Sequence, residues 1–142
     1  MKTEAALPYR DSIITLLAAE KLPVADLPAT LNNFVVVKDG EVIIGVAGLE
    51  IYGDYGLLRS LAVSPAHRSK GIAKLLLTQI EALAAAKKLS TIYLLTETAP
   101  GYFSRNNYQQ LNRTDVPQLV QQSSEFSYAC PQSAIVMKKT LI

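Results

Sequence analysis

Apolar residues along this chain recur at helical spacing in some stretches and crowd together, β-branched and aromatic, in others. In residues 9–20, Ile13, Ile14, Leu16 and Leu17 gather on one side of a helical projection, with Asp11 or Ser12 as the cap. In residues 71–88, Ile72, Leu76, Ile80 and Leu83 make a stripe. Lys74, Thr78 and Glu81 lie elsewhere, and Lys87 and Lys88 end the segment where cations suit the helix dipole. Asp26-Leu27-Pro28, with Leu31 four residues beyond Leu27, predicts a short second helix between these two. Residues 34–37 and 42–51 read as strands joined by the hairpin signal Asp39-Gly40. A turn at 52–56 leads into a third strand, 57–63, closed by Ser64-Pro65. Residues 91–96 are again β-type and follow the long helix closely, so strand, helix and strand predict a crossover with parallel strands. Residues 100–107 are a candidate short helix and 133–141 a closing strand.

The order is helix, β-meander, β-α-β, helix, strand. It predicts the α/β (α+β) class: a mixed, mostly antiparallel central sheet flanked by helices, in a single domain over residues 1–142. Composition agrees, since 49% hydrophobic and 18% charged residues are enough to bury a core. A formal net charge of +2, with its cations spread along the chain, does not describe a nucleic-acid surface. The single cysteine, Cys130, excludes an intrachain disulfide. With one histidine, His67, no motif for a catalytic metal is present. The first residues do not form a signal peptide and no stretch approaches the ~20 apolar residues of a membrane span. The expected setting is cytoplasmic, with no membrane partner.

Chemistry concentrates in residues 57–77, LLRSLAVSPAHRSKGIAKLLL. A strand runs into the loop Arg68-Ser69-Lys70-Gly71-Ile72-Ala73, which opens directly into the long helix. A helix N-terminus leaves its first N–H groups without intrahelical partners and holds roughly half a positive charge, so it suits a phosphate group. Gly71 removes a side chain where a pyrophosphate would approach, Ala73 keeps the next turn slim, and Arg68 and Lys70 add positive charge. The glycine-rich patterns of nucleotide-binding P-loops and dinucleotide folds are both absent.

Arg68-x-x-Gly71-x-Ala73, after a strand of the type L-x-V-x-P and before an amphipathic helix, resembles the acetyl-CoA signature of the GNAT N-acetyltransferases. Residues 99–108, APGYFSRNNY, resemble that family's A-x-x-F-Y-x-x-x-G-F. Cys130-Pro131-Gln132-Ser133-Ala134 resembles a branch associated with arsenic resistance, and the chain is also similar to the acetyltransferase domain of N-acetylglutamate synthases. The likeness runs from about Asp26 to Leu141. It implies acetyl-CoA as cosubstrate, with its pyrophosphate on the backbone of Arg68, Ser69, Lys70, Gly71, Ile72 and Ala73. It also implies that pantetheine pairs with Leu61, Ala62 and Val63. The acceptor would be the primary amine of a small molecule, an amino acid or a similar compound, attacking the thioester directly in a monomer or homodimer. Direct attack agrees with the absence of a Ser/His/Asp or Cys/His constellation.

Two positions depart from the family. Phe103 replaces the tyrosine that protonates the departing thiolate, so that either Tyr102 one step earlier takes the role, or a water does, or the thiolate leaves without a protein acid, and Asn107 replaces a glycine. Phe103 would then only line the cofactor. The loss of the acid leaves a second reading, a non-catalytic acyl-CoA-binding sensor or interaction module. On the acceptor side, Glu50 shares by period 2 the face of Val42, Ile44 and Val46, and is the candidate proton acceptor. Arg59 and Ser60 interrupt the next strand on opposite faces as candidate substrate-binding residues, the guanidinium suited to an acceptor carboxylate. Arg105 is a weaker second cation, Tyr52 and Tyr55 candidate pocket walls, His67 a solvent-facing residue and Cys130 a small buried one.

Overall fold

The computed structural model describes residues 3–126 and 133–141. Its strands are β1 (Thr3–Ala5), β2 (Phe34–Asp39), β3 (Val42–Tyr52), β4 (Tyr55–Val63), β5 (Thr91–Thr96), β6 (Gln109–Leu111) and β7 (Ile135–Thr140). Its α-helices are α1 (Arg10–Ala19), α2 (Ile72–Ala86), α3 (Pro100–Arg105) and α4 (Gln118–Gln121). The strands form one mixed seven-stranded sheet in the order β1-β2-β3-β4-β5-β7-β6. By contacts the chain divides into two compact units, Met1–Leu49 with Ser60–Leu83, and Glu50–Arg59 with Ala84–Ile142.

In the first unit, β2 and β3 form the expected hairpin, with Gly40 at φ +62° in the turn and a register shift between Val37 and Lys38. The strand β1 pairs antiparallel with β2, Thr3 opposite Val37. Ile13, Leu16 and Leu17 of α1 pack with Phe34, Val36 and Val46 of the sheet. Among the large side chains of α2, Leu76, Leu77 and Ile80 are fully covered, whereas Leu83 is only half-buried. The stripe is thus rotated slightly from the expected one. Gly45 of β3 lets α2 approach: a Cβ there would stand 3.0 Å from Leu76 Cδ1 and 3.1 Å from Ile72 Cγ2. That close seat fixes the N-terminal turn of α2 and the loop before it.

The second unit contains the parallel ladder of the crossover, Tyr55–Leu57 against Thr91–Tyr93. It also contains the antiparallel β5–β7 and β7–β6 pairs. Its core gathers Leu57, Tyr93, Val116, Val120, Phe126 and Val136.

Two expectations are corrected, and three short elements go beyond the sequence pattern. No helix forms at Asp26-Leu27-Pro28, although Leu27 and Leu31 are both buried as their spacing implied. Neither Asp11 nor Ser12 caps α1; the N-cap is Tyr9, without a side-chain hydrogen bond. The edge strands β1 and β6 and the short helix α4 carry too little hydrophobic pattern to be foreseen, and β1 and β6 exist through their pairing partners.

Candidate active site

The loop between β4 and α2 lies in the first unit. Ser69 and Gly71 both have left-handed backbones, φ +65° and +76°. Alternation of this kind turns neighbouring N–H groups toward one side and makes an anion-binding concavity. The Gly71 carbonyl accepts the first helical bond, from Leu75 N at 3.0 Å, so Gly71 is the N-cap and Ile72 and Ala73 open the helix. Nothing lies within 4 Å of where a Gly71 Cβ would stand. The backbone of the loop is therefore open to an approaching group, as a pyrophosphate requires. The exposed Lys70 sits in this loop. The Arg68 guanidinium does not extend free from it: Nε donates to Val63 O at 3.3 Å, and Nη2 pairs with Glu20, the C-cap of α1. Arg68 thus ties the loop to α1. Leu61, Ala62 and Val63 lie beyond the last β4–β5 pair, Leu57 with Tyr93, so that ladder does not use their backbone. These features fit acetyl-CoA.

Ser60 precedes them with φ +59° inside β4. A left-handed serine costs roughly 1–2 kcal/mol, and in a strand it bends the backbone and redirects the adjacent peptide groups. The alternation that would have put Arg59 and Ser60 on opposite faces is interrupted at this residue.

The second unit holds a connected polar cluster. Glu50, near the end of β3, accepts from Tyr52 Oη at 2.7 Å on Oε1 and from Arg59 Nη1 at 2.9 Å on Oε2. The other side of the same guanidinium faces Glu125, with Nε 3.5 Å from Oε1. The Arg59 side chain is 0% exposed, while Glu50 retains 13% and Glu125 8%. Ser123, also buried, hydrogen-bonds to the Tyr52 side chain. Burial first, then the hydrogen bond to Glu50 and its charge, push the Tyr52 phenol well above its ordinary range and keep it a donor. The Arg59 guanidinium is closed from solvent and faces two carboxylates of its own chain.

On α3, the half-buried Tyr102 stands edge-on to Phe103, ring centroids 5.5 Å apart, and Phe103 is edge-on to Tyr108 at 5.6 Å. Asn107 has φ +73°, which explains the family's glycine there. Tyr108 N donates to Phe103 O at 3.0 Å and Asn107 N to Ser104 O at 3.2 Å, a Schellman closure whose hydrophobic contact is the Phe103–Tyr108 pair. Asparagine tolerates the left-handed conformation better than most side chains, so the departure preserves the turn.

His67 is not simply solvated; its Nε2 lies 3.2 Å from Asp39 Oδ2, and its side chain is 21% exposed. Arg105 is exposed and Tyr55 half-buried against Tyr93. Cys130 lies outside the described residues. Among the described residues no cluster of His, Cys, Asp or Glu is arranged to hold a metal ion, and no helix is long and apolar enough to cross a membrane. Sequence pattern did not point to Glu125 or Glu20. Glu125 sits in a segment, 116–134, without any Lys, Arg or His to announce a pair.

The acetyltransferase (GNAT) family model matches residues 8–112. An uncharacterized N-acetyltransferase of Chlorobaculum tepidum is 28% identical over 126 residues, 85% of this chain and 79% of that protein. The crystal structure of Rv2747 from Mycobacterium tuberculosis, in complex with CoA, aligns over 100% of both chains with a TM-score of 0.83 and 20% identity. N-acetylglutamate synthase from Neisseria gonorrhoeae, complexed with coenzyme A and N-acetyl-glutamate, gives a TM-score of 0.80 and 17% identity over 99% of this chain and 35% of the synthase. At these identities the two structures speak for the fold.

Proposed function

The chain belongs to the acetyltransferase (GNAT) family and is an acetyl-CoA-dependent N-acetyltransferase, and from that premise we propose that its acceptor is the primary amine of a small molecule, an amino acid or a compound resembling one. The observation that carries the proposal is Glu50, a carboxylate braced on both oxygens by Tyr52 and Arg59 yet still partly exposed. The N-acetyl-glutamate bound by the gonococcal synthase, which shares the fold, favours amino-acid-like acceptors as the first class to test.

Acetyl-CoA, when bound, supplies the acetyl group as an activated thioester. The backbone of Arg68, Ser69, Lys70, Gly71, Ile72 and Ala73 would hold its pyrophosphate, and Leu61, Ala62 and Val63 its pantetheine arm. Glu50 accepts a proton from the acceptor ammonium through water; a carboxylate offers about four lone-pair sites, so two donors do not exhaust it. The freed amine attacks the carbonyl carbon, the C–S bond breaks as the amide forms, and the nitrogen's second proton passes through water to the released CoA thiolate. A thiol of pKa ~8.5 is a good leaving group, so its departure does not require a protein acid. Phe103 cannot donate one, and Tyr102 is dispensable in this reading.

The test is free-thiol release from acetyl-CoA over a panel of amino acids, their amides and polyamines. Release with at least one amine is expected, and Tyr102→Phe should retain most of kcat. A loss on the order of a hundredfold would make Tyr102 the acid. A protein that binds acetyl-CoA and releases no thiol with any amine would instead be the non-catalytic binding module.

A further inference from the structure

The loop that would cradle acetyl-CoA is braced from outside by an ion pair. Arg68 enters the loop, and the next residue, Ser69, is left-handed at φ +65°. A serine pays for that conformation and keeps it only where its surroundings fix the backbone. The Arg68 N–H donates to Pro65 O at 3.4 Å, and its guanidinium has two anchors: Nε donates to Val63 O at 3.3 Å and Nη2 pairs with Glu20. The first anchor closes the loop on its own strand. The second reaches 48 residues back, to the end of α1. Glu20 is firmly seated there: its N–H bonds to Leu16 O at 3.1 Å and Leu17 O at 3.2 Å, and Leu22 N returns to Leu17 O at 2.9 Å. The helix behind it buries Ile13, Leu16 and Leu17. The Glu20 side chain is 17% exposed against 55% for Arg68, so the acid is the fixed partner and the guanidinium the held one.

An acid is an unexpected choice in that place on two counts. It caps the C-terminal end of α1, where the helix dipole favours a cation. It also stands beside a loop whose ligand carries a pyrophosphate, which a carboxylate repels. Neither the helix nor the charge of the ligand accounts for Glu20; the guanidinium it holds does. We propose that Glu20 is a positioning residue for acetyl-CoA: by keeping Arg68 on the end of α1 it fixes the entry of the 68–73 loop in the shape that receives the pyrophosphate, so that an acid strengthens the binding of an anion. The Arg68 side chain then serves the cofactor through the backbone it braces and not by touching phosphate. The inference rests on the reading of this loop as the pyrophosphate cradle and deepens it.

The experiment is isothermal titration of acetyl-CoA into the parent, Glu20→Gln, Glu20→Ala, Arg68→Met, the double variant Glu20→Ala with Arg68→Met, and Gly71→Val. Titration far below each melting transition reads the folded protein, so a loss of stability alone does not move Kd. Charge and brace predict opposite signs. A Glu20 that acted only by its charge would repel the ligand, and both of its variants would bind more tightly than the parent. As a brace, Glu20→Ala is expected to bind about threefold to fivefold more weakly, the scale of a partly exposed ion pair. Glu20→Gln keeps an oxygen for Nη2 and should fall between Glu20→Ala and the parent. Arg68→Met loses both anchors and should weaken binding about tenfold. The double variant should be no weaker than Arg68→Met, because the two substitutions remove the same brace. Tighter binding in Glu20→Gln would overturn the proposal and show that the released guanidinium reaches phosphate. Losses that multiply in the double variant would overturn it too, since Glu20 would then act by another route. An unchanged Kd in Glu20→Ala beside a weakened Gly71→Val would remove Glu20 and leave the loop standing; an unchanged Kd in both would remove the loop reading as well. A lowered melting temperature with Kd unchanged would assign the pair to folding alone. Should Glu20→Ala not fold, Glu20→Gln decides by itself: weaker binding supports the brace, and equal or tighter binding overturns it.

Discussion

Gly71→Val isolates the conformational part of cofactor recognition. At φ +76° a residue with a Cβ loses roughly 1–2 kcal/mol relative to its favoured conformations, and a β-branched one more. No protein atom lies within 4 Å of the new Cβ, so the protein itself does not resist the added volume. The cost appears instead when the loop must hold its left-handed shape around a ligand, or when a phosphate must enter the space the side chain now fills. At 1.4 kcal/mol per tenfold, the strain alone predicts a rise of roughly 5–30-fold in the acetyl-CoA dissociation constant, before any steric exclusion is added. Gly71→Ala should show the strain with little of the exclusion. Lys70→Ala removes one exposed cation and should change affinity by no more than about threefold. Isothermal titration with acetyl-CoA on the three variants separates the effects. If Gly71→Val binds like the parent, the pyrophosphate is not held by this backbone and the loop assignment falls.

Helix α2 closes through Lys88 at φ +60°, with Leu89 N on Ala84 O and Lys88 N on Ala85 O, both at 3.0 Å. Lys88→Gly relieves a penalty of roughly 1–2 kcal/mol against an entropy cost of roughly 0.5–1, so urea denaturation should show a gain of about 0.5–1 kcal/mol; a loss would refute the strain. Arg59→Met leaves two neighbouring carboxylates without their shared cation and should cost about 3–5 kcal/mol, most of it recovered when Glu50→Gln and Glu125→Gln are added. A cost below about 1 kcal/mol would show that the guanidinium does not hold the cluster.

Fold legibility followed the strength of the local signal. Where a segment carries its own apolar face, as in α1, α2, β3 and β5, its type and approximate limits could be read from residue spacing, because burial of that face is what stabilises it. β1 and β6 offer only Thr3-Glu4-Ala5 and Gln109-Gln110-Leu111, so they are strands by virtue of Val35, Val36 and Val37 and of Val136, Met137 and Lys138 opposite them. Leu27 and Leu31 show the converse: i, i+4 spacing identified two buried side chains, but the proline-containing segment between α1 and β2 buries them without a helix.

The site divides along the same line. A backbone cradle leaves a local trace, because only certain residues tolerate its φ values, and Gly71 marks such a position while Ser69, equally left-handed, does not. A charge cluster leaves none. Arg59 read by itself is an unmatched cation in an apolar strand, and an unmatched guanidinium invites a carboxylate from outside; Glu125 read by itself is an acid in a polar stretch, where solvation is the ordinary fate. Only when the fold brings them to 3.5 Å does the carboxylate Arg59 needs prove to be supplied from within, and doubly so by Glu50. The consequence is that a buried guanidinium, read alone, says nothing of the acids its own chain brings to it from distant positions.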